Sequence, residues 1–321
     1  MRYDVFNGDA DGICALIQLR LAQPCKATLV TGVKRDIELL AQVPAQADDQ
    51  VTVLDISLAK NHDHLVNILN SGAEVFYLDH HQSGDIPKHA KLKTLIDTDA
   101  NTCTSLLVNQ HLQGRFRAWA VAGAFGDNLS AIAMQNASVL DWSDQQLQQI
   151  KDLGICINYN SYGNSLSDLH FAPDALYHEL VEYVSPLAFI ADKPLIYHQL
   201  LSGYAEDMNK AADIKPEFSN AAIAAYIMPD SAWSRRVSGV FANELATQHP
   251  KKAHAIVTMN PHGGYQVSVR APLDNKVGAD ELCSSFAGGG GRKSAAGINH
   301  LPKEQLIDFI DAFKKKYPTA H

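Results

Sequence analysis

Cysteine is scarce in this chain: five residues among 321, at positions 14, 25, 103, 156 and 283. The number is odd and no two stand in CxxC spacing. That argues against a disulfide framework and a thiolate zinc site, and fits a reducing, cytoplasmic compartment. No uncharged run reaches the length of a membrane span, and an acid at position 4 argues against a secretory leader. Blocks of positive charge are missing as well. The formal net charge is −8, and the first basic run is Lys314-Lys315-Lys316, read as the solvated end of a last helix. A protein that grips long nucleic acid presents a basic stripe, because phosphate neutralisation drives its affinity. Any nucleotide ligand is therefore expected to be short. Internal repeats are absent, and so is low complexity beyond Gly288–Gly291.

What remains is an ordinary soluble composition, 46% apolar and 19% charged, on a chain too long for one typical core. The N-terminal half alternates strand and helix signals, which predicts an α/β domain with a parallel sheet and helices on both faces. Expected strands are 3–6, 27–31, 51–55, 75–79 and 94–96. Expected helices are 11–22, a short one around 37–41, and 103–112 with Thr102 as its cap. From about 141 to 205 the signals are mainly helical. The domains are expected at 1–204 and 221–321, joined by a polar linker at 205–220. The second, smaller α/β unit reads as strands 222–228, 255–259 and 266–270, helices 234–247, 278–286 and 303–317, and a glycine-rich loop.

Acids and histidines are strung along the first 130 residues. They are Asp9 and Asp11 in NGDADG, Asp55 in VTVLDIS, Asp79-His80-His81 in VFYLDHHQSG, and Asp127 in GAFGDN. The first three groups follow or end strand-like runs, and residues at the carboxyl ends of strands in an open α/β sheet converge on one crevice. Carboxylates gathered there repel one another unless cations neutralise them. Oxygen ligands with one or two imidazoles suit Mn²⁺ or Mg²⁺, and the set is large enough for two ions. Each acid also has a plainer reading as a helix cap or turn residue. His62 and His64 lie two apart on a helix, on nearly opposite faces, and do not share an ion. GGGGRKS mimics a phosphate-binding P-loop, but Arg292 stands where that motif needs glycine.

The constellation resembles the DHH phosphoesterase superfamily, whose namesake triplet stands as Asp79-His80-His81. Phe286-Ala-Gly-Gly-Gly-Gly-Arg-Lys-Ser-Ala-Ala-Gly297 resembles the GGGHxxAAG motif of the DHHA1 substrate-binding domain, with Arg-Lys as a variant. The resemblance implies that Asp9 binds one metal and Asp11 the other, that Asp55 bridges both, that His80 and Asp127 complete the set, and that His81 faces the phosphate. Asn7 stands where the single-strand exonuclease branch has Asp, and offers a weaker amide ligand. In the second domain the resemblance implies that Arg270, Gly289, Gly290, Gly291, Arg292 and Lys293 hold the substrate.

The expected function is hydrolysis of short linear dinucleotides to mononucleotides, with two Mn²⁺ or Mg²⁺ as cofactors and Asp55 and His81 at the centre of the chemistry. Arginine presents a fork of donors that matches O6 and N7 of guanine. Arg292 therefore points to a guanine dinucleotide such as pGpG, the linear product of cyclic di-GMP breakdown. The alternatives are a single-strand exonuclease of broad base specificity, a pyrophosphatase of the same superfamily, and a nucleotide sensor without catalysis.

Overall fold

The computed structural model describes residues 1–261 and 263–319. It divides into two compact units, Met1–Gly203 and Tyr204–His321.

The first unit runs β1 (Arg2–Phe6), α1 (Ala10–Ala22), β2 (Thr28–Val30), β3 (Gln50–Leu54), α2 (Leu58–Asn70), β4 (Glu74–Asp79), β5 (Leu92–Ile96), α3 (Thr104–His111), α4 (Arg117–Gly126), α5 (Ser130–Ala137), α6 (Asp144–Ser161), α7 (Pro173–Leu180), α8 (Pro186–Asp192) and the start of α9 (Pro194–Ala212), whose residues from Tyr204 belong to the second unit. The five strands are all parallel, in the order β2-β1-β3-β4-β5. Alternation along each strand sends Tyr3, Val5, Val51, Val53, Val75 and Tyr77 into one core, beside Leu65 and Leu69 of α2. On α1 every residue from Ala10 to Leu19 is buried, so this is a central helix rather than an amphipathic surface one. Small residues let its neighbours close in. A Cβ on Gly126 would lie 2.3 Å from the Ala10 Cβ, and one on Gly154 would lie 2.1 Å from the Ala122 carbonyl.

The second unit runs β6 (Phe218–Ser219), β7 (Ile223–Met228), α10 (Ala232–Gln248), β8 (Ala253–Met259), β9 (Tyr265–Arg270), α11 (Ala279–Ser284), β10 (Gly289–Arg292), β11 (Ala295–Leu301) and α12 (Leu306–Lys316). Its sheet has the order β10-β11-β9-β8-β7-β6, antiparallel except for β7 with β8. Val257, Val267, Val269, Ile298, Phe309 and Phe313 form its core.

Four local expectations give way. The helix around 37–41 is one 3₁₀ turn, Leu39–Gln42. Buried Asn61 of α2 takes the Leu40 N–H and donates to the Ile37 carbonyl, groups that a helix would use, and Pro44 follows. The segment read as a linker is helical through Ala212. The division between the units falls at Gly203/Tyr204, where the boundary was expected, but the polar residues after it are helical and packed within the second unit: Asp207 is 2% exposed and bonds Arg236 at 2.7 Å. The glycine-rich stretch is strand β10, paired Gly289↔Ile298 through Arg292↔Ala295 across the two-residue turn Lys293-Ser294. Hairpin pairing overrides the poor strand propensity of glycine. Finally, α3 starts after Cys103 with no side-chain cap of its own; its amides are met from elsewhere.

Candidate metal centre

The strand order 2-1-3-4-5 reverses direction between β1 and β3, and such a switch point opens a crevice at the carboxyl ends of the strands. Asp9 and Asp11 follow β1 there, Asp55 follows β3, and Asp79 ends β4 just before His80 and His81. Asp127 caps the carboxyl end of α4. Asp55 adopts φ +60°, a left-handed conformation rare outside glycine. The fold tolerates a cost of about 1–3 kcal/mol to turn that carboxylate inward.

Asp9, Asp11, Asp55, Asp79 and His80 are all buried. His80 Nδ1 lies 3.2 Å from the Thr102 carbonyl. That contact selects the tautomer with a proton on Nδ1 and leaves the Nε2 lone pair inward, the arrangement of a metal-binding imidazole. Nε2 stands 3.4 Å from Asp55 Oδ1, 3.9 Å from Asp11 Oδ2 and 4.0 Å from Asp127 Oδ2. Donors sharing an ion at about 2.1 Å lie roughly 3 Å apart at right angles and about 4.2 Å apart across it. The spacing fits one divalent ion. Ligand atoms of Asp55, His80 and His81 also lie within 4.8 Å of one another. Thr104 Oγ1 donates to Asp55 Oδ1 at 3.2 Å. Burial, and then the charges of Asp9 and Asp11, push the Asp55 carboxyl well above the usual carboxylate range, and a cation at this point reverses that push.

His81 projects outward, 41% exposed, with Nδ1 donating to fully buried Asp79 Oδ1 at 2.7 Å. Burial alone would lower its pKa. The hydrogen bond and charge of Asp79, with that of Asp55, outweigh burial and raise it. The contact with Asp79 thereby favours the protonated ring of His81.

The acids after β1 have further partners. Both Asp11 oxygens accept backbone amides at 2.7 Å, from Thr104 and from Ser105, so this carboxylate caps α3 from another element. Asp9 is the N-cap of α1, its Oδ1 accepting the N–H groups of Asp11 at 3.0 Å and Gly12 at 3.1 Å. Its Oδ2 pairs with the Lys34 ammonium, which also reaches Asn158 Oδ1 at 3.0 Å. Burial would raise the Asp9 pKa, but Lys34 overrides it and holds the carboxyl at about 2. The Asn7 amide oxygen accepts from Asp9 N at 3.2 Å, and its Nδ2 donates to the Lys34 carbonyl at 3.3 Å. Lys34, in a loop, and Asn158, near the end of α6, escape sequence reasoning, because a lone lysine or asparagine carries no spacing signal. The Asx pattern of NGDADG, shared by caps and ligands, was the one hint.

In the second unit, Arg292 and Lys293 are exposed at the turn of the β10–β11 hairpin. The Arg270 guanidinium donates to Asn243 Oδ1 at 2.6 Å and to the carbonyls of Val269 and Gly239. The glycines of β10 differ. A Cβ on Gly289 would strike the Cys283 carbonyl at 1.9 Å, and Gly291, at φ +145°, would meet the Ala296 Cα at 2.5 Å, whereas on Gly290 a Cβ would meet nothing within 4 Å.

Residues 219–317 match the DHHA1 domain family model. No curated protein matches by sequence. Among solved structures, the chain is similar to exonuclease RecJ bound to manganese, with a TM-score of 0.61 at 16% identity, over 98% of this chain and 89% of that one. A RecJ from Thermus thermophilus in complex with Mn²⁺ gives 0.60 at 15% identity over 98% of this chain, which spans about half of that protein (51%). The pGpG-specific phosphodiesterase PggH from Vibrio cholerae gives 0.54 at 13% identity over 98% of both chains. The α/β class and the DHHA1 resemblance of the second domain both hold, and the fold of the whole chain is similar to that of the RecJ structures. Among the described residues, no helix is long and apolar enough to cross a membrane.

Proposed function

We propose that this DHH/DHHA1 protein is a cytoplasmic, metal-dependent phosphodiesterase that hydrolyses short linear dinucleotides, guanine dinucleotides best. The convergence of Asp55, His80 and His81 at the switch point carries the reading. The manganese in the RecJ structures supports Mn²⁺ as the ion, with Mg²⁺ as the alternative. The substrate named for PggH supports a dinucleotide, as does the net charge of −8. Five free cysteines fit the cytoplasm.

Asp55 and His80, with Asp127 and Asp11 beside them, would hold a divalent ion, which when bound would supply Lewis acidity and activate water near neutral pH. The protein's own groups do the rest. The Thr102 carbonyl fixes the His80 ring, and Thr104 orients Asp55. His81, whose protonated form Asp79 favours, would donate to a phosphoryl oxygen or to the departing oxygen. In the second unit, Arg292 reads guanine O6 and N7, Lys293 takes the terminal phosphate, and backbone near Gly289–Gly291 approaches the ligand. Open space at Gly290, where neither clash nor φ demands glycine, supports that approach. Arg270, already bonded to Asn243, ranks below these as a phosphate contact.

Mononucleotide release from pGpG, pApA and longer oligonucleotides, with Mn²⁺ and with EDTA, tests this reading. Cleavage of pGpG that needs Mn²⁺ is expected, with turnover falling steeply beyond about four nucleotides. Arg292→His should shrink the guanine preference by roughly ten- to a hundredfold, the worth of a bidentate base contact. Equal efficiency on a dinucleotide and a long strand would favour the RecJ-like exonuclease, and no release at all would favour a sensor.

A further inference from the structure

We infer that Lys34 stands in for one of the two metal ions, so that this chain holds a single divalent ion beside a resident ammonium. The inference rests on the metal-dependent reading above and concerns how the cations are divided.

The carboxylates form one cluster, Asp9 touching Asp55 through their side chains, but its two ends have different surroundings. On the His80 side each Asp11 oxygen accepts one backbone amide, and no side-chain cation among the described residues is paired with it. Around His80 Nε2, the oxygens of Asp55, Asp11 and Asp127 lie at 3.4–4.0 Å, the spacing of donors around a shared ion. The end formed by Asn7 and Asp9 is already coordinated by protein. Asp9 Oδ1 takes two amide N–H groups, and its Oδ2 takes the Lys34 ammonium. Asn7 spends its oxygen on the Asp9 amide and its nitrogen on the Lys34 carbonyl, and carries no charge to attract an ion.

Lys34 is not a surface side chain folded inward by chance. Its own N–H bonds the Ser161 carbonyl at 2.9 Å, its carbonyl is held by Asn7, and its ammonium bridges Asp9 and Asn158. Val33 N is fixed by Asp36, and Asn61 ties Ile37 and Leu40 to α2. The irregular stretch between β2 and β3 is thus clamped at several points with one lysine aimed into the carboxylates. A chain that neutralises Asp9 with a fixed +1 charge has no need of a +2 ion there, and Asn in place of a carboxylate at position 7 lowers the negative charge to match.

The test is the number of Mn²⁺ ions bound by the full chain, from titration calorimetry of metal-free protein and from the EPR spectrum of the loaded protein. One equivalent and an uncoupled manganese spectrum are expected for the natural sequence. Restoring the carboxylate and removing the ammonium together, Asn7→Asp with Lys34→Met, should raise the count to two and give the broadened spectrum of a coupled pair. Two equivalents in the natural sequence would overturn the inference while leaving the metal-dependent reading intact; no tight Mn²⁺ at all would remove both.

Discussion

Asp55 meets three unfavourable conditions at once: burial, φ +60°, and neighbouring carboxylates. Asparagine keeps the hydrogen bond from Thr104, tolerates the left-handed region and carries no charge. Metal-free Asp55→Asn should therefore be more stable to denaturant, by about 0.5–2 kcal/mol of unfolding free energy, while turnover disappears; a destabilised variant would contradict the burial and charge penalty assigned to this carboxylate. His81 yields a pH prediction. Asp79 raises its pKa, so the cationic donor survives to higher pH than a free imidazole, and activity falls on the alkaline side as His81 loses its proton. Asp79→Asn lowers that pKa and should move the alkaline limb of the pH–rate profile toward acid. A limb that does not move would mean that His81 is not the donor.

At the scale of elements, the buried parallel strands were the most legible part, because β-branched runs ending in an acid leave few alternatives. The DHH triplet at the end of β4 was legible for the same reason. Contacts made across the fold were not. Asp11 capping α3, Asn61 dissolving a helix and Lys34 meeting Asp9 all join residues distant in sequence. The helix layer depends on glycine. Gly154→Ala sets a methyl 2.1 Å from the Ala122 carbonyl, and overpacking of that kind costs about 1–3 kcal/mol. It should lower the melting temperature and reduce turnover through Asp127 at the end of α4. In β8, His254 is fully buried, and burial, then His249 and Lys252, lower its pKa to about 4. Unfolding frees it to titrate near 6.5, so the unfolded state takes up the proton first. Its contribution to stability is full above about pH 6.5 and is lost as pH falls toward 4. Replacing it with leucine should flatten the slope of stability against pH in that window.

For the whole molecule, an acidic surface and a small set of recognition residues predict weak sensitivity to salt. Turnover of a dinucleotide should change far less between 50 and 200 mM salt than the ~10³–10⁵-fold losses of proteins that grip many phosphates; a steep loss would reveal a basic track for polymer. The sheet order bears on biogenesis too. β1, which precedes the other strands of its sheet in the chain, is an interior strand, flanked by β2 and β3. Its pairing with β3 joins Arg2 to Gln50 and Phe6 to Leu54, a loop that must close before the crevice exists. Non-local closure of this sort slows folding. A nascent chain therefore emerges from the ribosome with its clustered acids still exposed and unassembled, and refolding should be timed by that one long-range pairing rather than by formation of its helices.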